Sequence, residues 1–137
     1  MIKVLVIDDE PMQRQGIVQL TPWKDFGAEV VGAAGSGMEG IIMAREHRPA
    51  ILIVDKMPGL TGLEVISRLR GELDAEYIIL SGYSEFEYAQ RAISLGVCAY
   101  LLKPLDDEEL AAAMKLAAGH IMGRRTENIH PDQREDM

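Results

Sequence analysis

The 137-residue sequence has the size of one ordinary domain, and its 47% hydrophobic and 26% charged residues predict a folded globular core. Acidic residues number 22 against 14 basic ones, for a formal net charge of -8, which argues against direct contact with nucleic acid or an anionic membrane surface. The single cysteine, Cys98, excludes an internal disulfide and favours a reducing, cytoplasmic setting. No run approaches the ~18 apolar residues of a membrane-spanning helix, and no secretion signal is visible.

Short apolar runs predict five β-strands, and helical patterns lie between them. The predicted strands cover residues 4–7, 29–33, 51–54, 77–80 and 99–102. The first predicted helix runs from Pro11 to about Leu20. The apolar positions that indicate the other four helices are Met38, Ile41 and Ile42; Leu63, Ile66 and Leu69; Phe86, Ala89 and Ile93; and Leu110, Ala113, Met114, Ala117 and Ile121.

The alternation of strands and helices predicts an α/β domain with a five-stranded parallel sheet. Right-handed crossovers place helices on both faces of such a doubly wound sheet. Its simplest strand order is 2-1-3-4-5, with a ligand crevice at the carboxyl ends of the strands. The predicted domain covers residues 1–122, and we expect the polar residues 123–137 to form a tail or linker.

Polar side chains follow four of the predicted strands. Asp8 and Asp9 come after the first strand, Asp55 after the third, Ser81 after the fourth and Lys103 after the fifth. Parallel strands end at one edge of the sheet, so we expect three carboxylates, a hydroxyl and an ammonium to converge there. Mg²⁺ would relieve the repulsion between the carboxylates. An aspartate between Mg²⁺ and a lysine is a plausible nucleophile toward phosphorus.

The order and spacing of these residues resemble the receiver domain of two-component response regulators, over about residues 2–122. The resemblance implies the flavodoxin-like (βα)5 receiver fold and a signalling switch that catalyses only its own phosphoryl transfer. The matching segments are Ile7-Asp8-Asp9-Glu10-Pro11, Asp55 with Met57-Pro58-Gly59 and Gly62, Ser81-Gly82-Tyr83, and Tyr100-Leu101-Leu102-Lys103-Pro104.

The resemblance assigns a metal site and a phosphoryl acceptor. It implies that Asp55 accepts a phosphoryl group from a sensor histidine kinase. Asp8, Asp9 and Asp55, together with the backbone carbonyl of Met57, would hold Mg²⁺. Lys103 would contact the phosphoryl group.

The resemblance also assigns a switch. It makes Ser81 the switch hydroxyl, which also takes part in catalysis, and Tyr100 the switch aromatic. It further implies a cis bond between Lys103 and Pro104. A homodimer through the fourth helix, fifth strand and fifth helix is the expected output.

A finer resemblance is to receivers joined to a C-terminal AraC-type DNA-binding domain. It rests on the segments 23–27 (Trp-Lys-Asp-Phe-Gly) and 81–89 (Ser-Gly-Tyr-Ser-Glu-Phe-Glu-Tyr-Ala). About 15 residues follow the last predicted helix, too few for a helix-turn-helix. We therefore expect either a receiver separated from its DNA-binding domain or a stand-alone receiver. DNA contact and transcription control would require such a further domain, and no membrane contact is expected.

One departure from the family pattern leaves two alternatives open. Lys56 alone separates Asp55 from Met57, whereas family members have two residues there, so the loop is one residue short. An interaction-only receiver, read by a partner without phosphorylation, is one alternative. The other is a flavodoxin-like, nucleotide-binding enzyme, because residues 35–40 (Gly-Ser-Gly-Met-Glu-Gly) match the G-x-G-x-x-G pattern.

Overall fold

The computed structural model describes residues 1–57, 61–82 and 86–129, with side chains described as far as Arg124. Strands and helices alternate along this chain. The strands are β1 (Ile2–Ile7), β2 (Ala28–Ala34), β3 (Ile51–Asp55), β4 (Glu76–Ser81) and β5 (Ala99–Leu102). The helices are α1 (Pro11–Leu20), α2 (Gly37–His47), α3 (Gly62–Leu69), α4 (Phe86–Ser94) and α5 (Asp107–Ile129), with a 3₁₀ turn at Trp23–Phe26.

The strands form one parallel sheet in the order β2-β1-β3-β4-β5, which confirms the predicted doubly wound architecture. The register pairs Ile7 with Val54 between β1 and β3, and Asp55 with Leu80 between β3 and β4. The carboxyl ends of these strands are therefore level with one another. That alignment brings the residues after β1, β3, β4 and β5 to one edge of the sheet.

The sheet separates two hydrophobic cores because successive side chains of a strand point to opposite faces. Leu5 and Ile7 of β1 lie in the core that α2, α3 and α4 cover. Val4 and Val6 lie in the opposite core, under α1 and α5. All five residues of β3 are buried, so a central strand reads as a continuous apolar run rather than an alternating one.

The predicted apolar face of α2 is partly wrong. Ile41 is buried, whereas Met38 and Ile42 are 54% and 60% exposed. The helix instead packs against β1 through Gly40, where an added Cβ would lie 2.5 Å from Ile7 Cδ1. The small glycine permits this close approach, so the buried face of α2 is rotated away from the larger side chains.

The predicted apolar face of α4 is also wrong at its two largest residues. Phe86 and Ile93 are 75% and 71% exposed. Tyr88 and Ala92 are buried in their place, and Ala89 lies at the margin. Two large apolar side chains therefore remain on the outer surface of this helix.

The apolar stripe of α5 is confirmed: Leu110, Ala113, Met114, Ala117 and Ile121 are all buried. The helix continues to Ile129, past the predicted start of a polar tail at residue 123. Within the described residues, no helix is both long and apolar enough to cross a membrane.

Candidate functional site

The carboxyl edge of the sheet gathers the polar residues that the sequence placed after the strands. Asp8 directly follows β1, while Asp55 and Ser81 are the last residues of β3 and β4. Carboxylate oxygens of Asp8, Asp9 and Asp55 all lie within 4.8 Å of one another. Lys103 follows β5, and its Nζ lies 2.5 Å from Asp55 Oδ1. The structure thus brings three acids and one ammonium into a single cluster.

Asp8 is oriented by its own backbone neighbours. It is 1% exposed, and its Oδ1 accepts a hydrogen bond of 2.9 Å from the Glu10 N–H. Among the described residues no donor reaches its buried Oδ2. Burial raises the pKa of this carboxyl, although the Glu10 N–H and Lys103 oppose the rise. A buried acceptor oxygen beside two further carboxylates is a donor set that suits a hard divalent cation such as Mg²⁺.

Asp55 has competing electrostatic influences. It is 5% exposed, and burial raises its pKa from 3.8 to about 6, despite the stabilising contact with Lys103. The charge of Asp8 adds to the rise, because neighbouring like charges disfavour ionisation. The pair with Lys103 therefore compensates only part of the cost of burying this carboxylate. A bound cation would lower that cost further.

The two residues assigned to the switch lie on β4 and β5, the strands that precede the cluster's open edge. Ser81 is fully buried at the end of β4. Tyr100 is half-buried and meets the Tyr88 ring edge-to-face, with ring centroids 6.0 Å apart. The bond between Lys103 and Pro104 is cis, as the resemblance implied.

The loop after Asp55 makes contacts that the sequence did not indicate. The Lys56 N–H donates a 3.0 Å hydrogen bond to the Leu80 carbonyl, which extends the pairing of β3 with β4 by one residue. The Met57 side chain is 3% exposed and lies in the core. Lys56 Nζ stands 4.6 Å from the centroid of the Tyr88 ring, a cation–π contact that joins this loop to α4. The rest of the loop and Tyr83 lie outside the described residues.

The glycine-rich segment 35–40 forms the start of α2. Ser36 Oγ accepts a 3.2 Å hydrogen bond from the Glu39 N–H, and Glu39 Oε2 accepts one of 3.2 Å from the Gly35 N–H. The first bond is the side-chain cap of α2 by its N-cap residue Ser36, and the second ties Glu39 to the residue before that cap. The amides that a nucleotide phosphate would use are thus engaged by the protein itself at Gly35 and Glu39, which counts against the nucleotide-binding alternative.

Comparison with known proteins shows which family shares this sequence and fold. A family model described as the response regulator receiver domain matches residues 4–115. The transcriptional regulatory protein HptR of Staphylococcus aureus is 33% identical over 129 residues, which cover 93% of this chain and 51% of HptR. The REC domain of AraT, a response regulator from Geobacillus stearothermophilus, has 38% identity and a TM-score of 0.82, with 90% of this chain and 97% of that one covered.

A two-component transcriptional regulator described as AraC, from Clostridium phytofermentans, has 30% identity and a TM-score of 0.82 over 91% of this chain and 98% of its own. This match supports the expected likeness to AraC-type receivers. The chain belongs to the response regulator receiver family and is a receiver domain of two-component systems. It is a signalling domain rather than a metabolic enzyme. It spans about half the length of the curated relatives it matches, for example 49% of a response regulatory protein of Staphylococcus epidermidis.

Proposed function

We propose that this domain accepts a phosphoryl group on Asp55 from a sensor histidine kinase and transmits the change to an output surface. The observation that supports this most directly is the contact of Lys103 Nζ with Asp55 Oδ1 at 2.5 Å, inside a cluster of three carboxylates. Asp55 is nearly buried, but it is the last residue of β3, at the edge of the sheet where the ligand crevice of this fold lies. A carboxylate there can attack a phosphorus atom.

Asp8, Asp9 and Asp55 would hold Mg²⁺, and the Met57 backbone carbonyl is the fourth protein ligand that we propose. The acceptor oxygen of Asp8 without a donor and the proximity of the three carboxylates support this donor set. When bound, Mg²⁺ supplies positive charge that neutralises the phosphoryl oxygens.

The protein's own groups would carry the transfer. Asp55 attacks the phosphorus atom, the new O–P bond forms, and the P–N bond to the donor imidazole breaks. The electron pair of that bond stays on the leaving nitrogen of the imidazole. Lys103 would exchange its contact with the Asp55 carboxylate for one with a phosphoryl oxygen, since an ammonium pairs well with either anion. The Ser81 hydroxyl would donate a hydrogen bond to another phosphoryl oxygen.

The output would pass through the aromatic pair on α4 and β5. Tyr100 would turn inward as Ser81 moves, and its contact with Tyr88 would change in the same step. The exposed side chains of Phe86, Ile93 and Leu102 lie on α4 and β5. These apolar residues support a homodimer formed through α4, β5 and α5, because burying apolar surface drives association. This is a two-state population shift.

We further propose that the output is control of transcription, through a DNA-binding region outside these 137 residues. The support is that HptR, which is about twice as long, is named a transcriptional regulatory protein. The acidic net charge of -8 makes the receiver itself a poor DNA ligand.

Intact-mass analysis after incubation with a small-molecule phosphoryl donor tests the proposal. We expect the wild-type chain to gain one phosphoryl group in the presence of Mg²⁺ and none when Mg²⁺ is chelated. Asp55→Asn should gain none. Asp25→Asn is the matched control, because it removes an exposed aspartate of the same size and should be phosphorylated like the wild type.

Three outcomes would contradict parts of this proposal. A wild-type chain that folds but gains no mass would favour the interaction-only receiver. A gain that persists in Asp55→Asn would show that another residue is the acceptor. Size-exclusion chromatography of the phosphorylated chain then tests the output, and an unchanged monomer would contradict the proposed dimer.

A further inference from the structure

A second group of metal-ligating side chains lies at the opposite end of the sheet from Asp55. Glu76 begins β4, Cys98 immediately precedes β5, and His120 lies on α5. One ligand atom from each of them lies within 4.8 Å of the other two. The sequence could not indicate this group, because its members come from three separate elements and share no motif.

Packing of α5 on the sheet explains the convergence. His120 lies three residues after the buried Ala117 and one before the buried Ile121, so it borders the buried stripe of α5 at the edge that reaches Glu76. Its Nδ1 lies 2.5 Å from Glu76 Oε1. The Cys98 N–H donates to the Tyr77 carbonyl at 2.8 Å, which fixes Cys98 beside β4. Glu76 and His120 therefore lie within regular secondary structure, and Cys98 is held just before β5 by its backbone hydrogen bond to Tyr77 of β4.

We propose that Glu76, Cys98 and His120 form a binding site for a borderline divalent transition ion of the Zn²⁺ class, separate from the aspartate cluster. A thiolate, an imidazole and a carboxylate are the ligands that Zn²⁺ prefers, whereas Mg²⁺ takes oxygen ligands. The His120 side chain is 47% exposed, which gives an ion access and leaves room for water as a fourth ligand.

The distances suit such an ion after small side-chain rotations. Zn–S bonds of about 2.3 Å and Zn–N and Zn–O bonds of about 2.0–2.2 Å place ligand atoms about 3.5 Å apart on a tetrahedral ion. In the structure the three ligand atoms lie within 4.8 Å of one another, only slightly farther apart than on a tetrahedral ion. On binding, the ion would replace the contact between His120 and Glu76. The Cys98 thiol would release its proton to solvent, and the Nδ1 proton of His120 would move by way of solvent to Nε2. The Cys98 sulfur and the His120 Nδ1 would then each donate an electron pair to the ion.

The neighbouring charges also suit a divalent cation. Arg124 Nη1 contacts Glu76 Oε2 at 2.7 Å, which leaves Oε1 for the ion. Arg124 Nε contacts Asp74 Oδ1 at 3.2 Å. Asp74, Glu76 and the thiolate form supply three negative charges against the single positive charge of Arg124, so a divalent ion neutralises the group.

Titration of the full chain with Co²⁺, a spectroscopic substitute for Zn²⁺, tests the proposal. Excess Mg²⁺ is present throughout to compete for the aspartate cluster. We expect a thiolate-to-cobalt charge-transfer band in the near ultraviolet, and displacement of that band by Zn²⁺. The band should disappear in Cys98→Ser. His120→Gln should lower the affinity for Co²⁺ by more than about 100-fold. Loss of a residue that only supports a ligand costs roughly 10- to 100-fold, so a larger loss marks His120 as a direct ligand.

Two controls make the result specific. His47→Gln changes a histidine at the end of α2 and should leave the band intact, as should Asp9→Asn in the aspartate cluster. His120 is half-exposed, so its replacement leaves the core untouched, and circular dichroism checks the fold of each variant. Absence of the band in the wild type, or an unchanged affinity in His120→Gln, would overturn the proposal. Cobalt binding that is lost in Asp9→Asn but kept in Cys98→Ser and His120→Gln would also overturn it, because the ion would then bind at the aspartate cluster.

Discussion

Replacement of Asp55 by asparagine should stabilise the folded domain when Mg²⁺ is chelated. The pKa of Asp55 rises from 3.8 to about 6 on folding, chiefly through burial. One pKa unit corresponds to about 1.4 kcal/mol, so the ionised carboxylate costs roughly 3 kcal/mol of stability at neutral pH. Asparagine is neutral and nearly the same size, and like the protonated acid it removes the direct ion pair with Lys103. The variant should therefore be more stable at pH 7 by up to about 3 kcal/mol.

The effect should depend on pH in a defined direction. The pKa of Asp55 is higher in the folded chain than in the unfolded one, so the folded chain binds more protons between about pH 4 and pH 6. Its contribution to stability therefore falls as pH rises through that window. The advantage of Asp55→Asn should be absent below about pH 4, grow up to about pH 6 and then stay constant.

Urea denaturation of both proteins at several pH values, with a chelator present, measures the difference directly. Subtracting the two curves cancels the titration of the acids that do not interact with Asp55, and leaves that of Asp55 together with its neighbour Asp8. Asp25→Asn, at an exposed position, should change stability by less than about 0.5 kcal/mol. Added Mg²⁺ should stabilise the wild type more than Asp55→Asn, because binding to the folded state shifts the equilibrium. A variant no more stable than the wild type at pH 7 would refute the reasoning, since the pair with Lys103 would then outweigh the cost of burial.

Two further predictions concern packing and the lysine contact. Gly40→Ala should destabilise the fold by about 1–3 kcal/mol, because its Cβ would lie 2.5 Å from Ile7 Cδ1. Gly16 lies in α1, and a Cβ added there would have no atom within 4 Å. Gly16→Ala should therefore stabilise the fold by about 0.5–1 kcal/mol. Urea denaturation midpoints compare the two variants, and equal shifts would contradict the packing argument. Lys103→Met should slow phosphorylation by a small-molecule donor by about 100-fold or more, since it removes the ammonium beside Asp55. A time course of intact mass checks this, and a wild-type rate would exclude Lys103 from the transfer.

The helix faces show where local patterns stop being informative. The stripe of α5 from Leu110 to Ile121 was predicted correctly because every apolar residue in it faces the sheet. In α4 the equally regular spacing of Phe86 and Ile93 marks an exposed face, whereas Tyr88 is buried. Helical periodicity shows which residues share a side. It does not show whether that side packs on the sheet or remains on the surface.

The contacts across elements were beyond the sequence for a related reason. Lys56 Nζ lies 4.6 Å from the centroid of the Tyr88 ring, although Lys56 is in the loop after β3 and Tyr88 is on α4. The group of Glu76, Cys98 and His120 depends on how α5 lies across β4 and β5. Such contacts depend on helix placement, which is set by shape complementarity between side chains distant in the chain.

The sequence by itself determined the strand order and the membership of the aspartate cluster. Buried parallel strands are continuous apolar runs, and chain topology then requires that residues following them, such as Asp8 and Asp55, meet at one edge. Only the tertiary structure decided how strongly burial opposes the charge of Asp55, which groups compensate it and which apolar side chains stay exposed. Those properties depend on distances and solvent access, which result from the packing of all elements together.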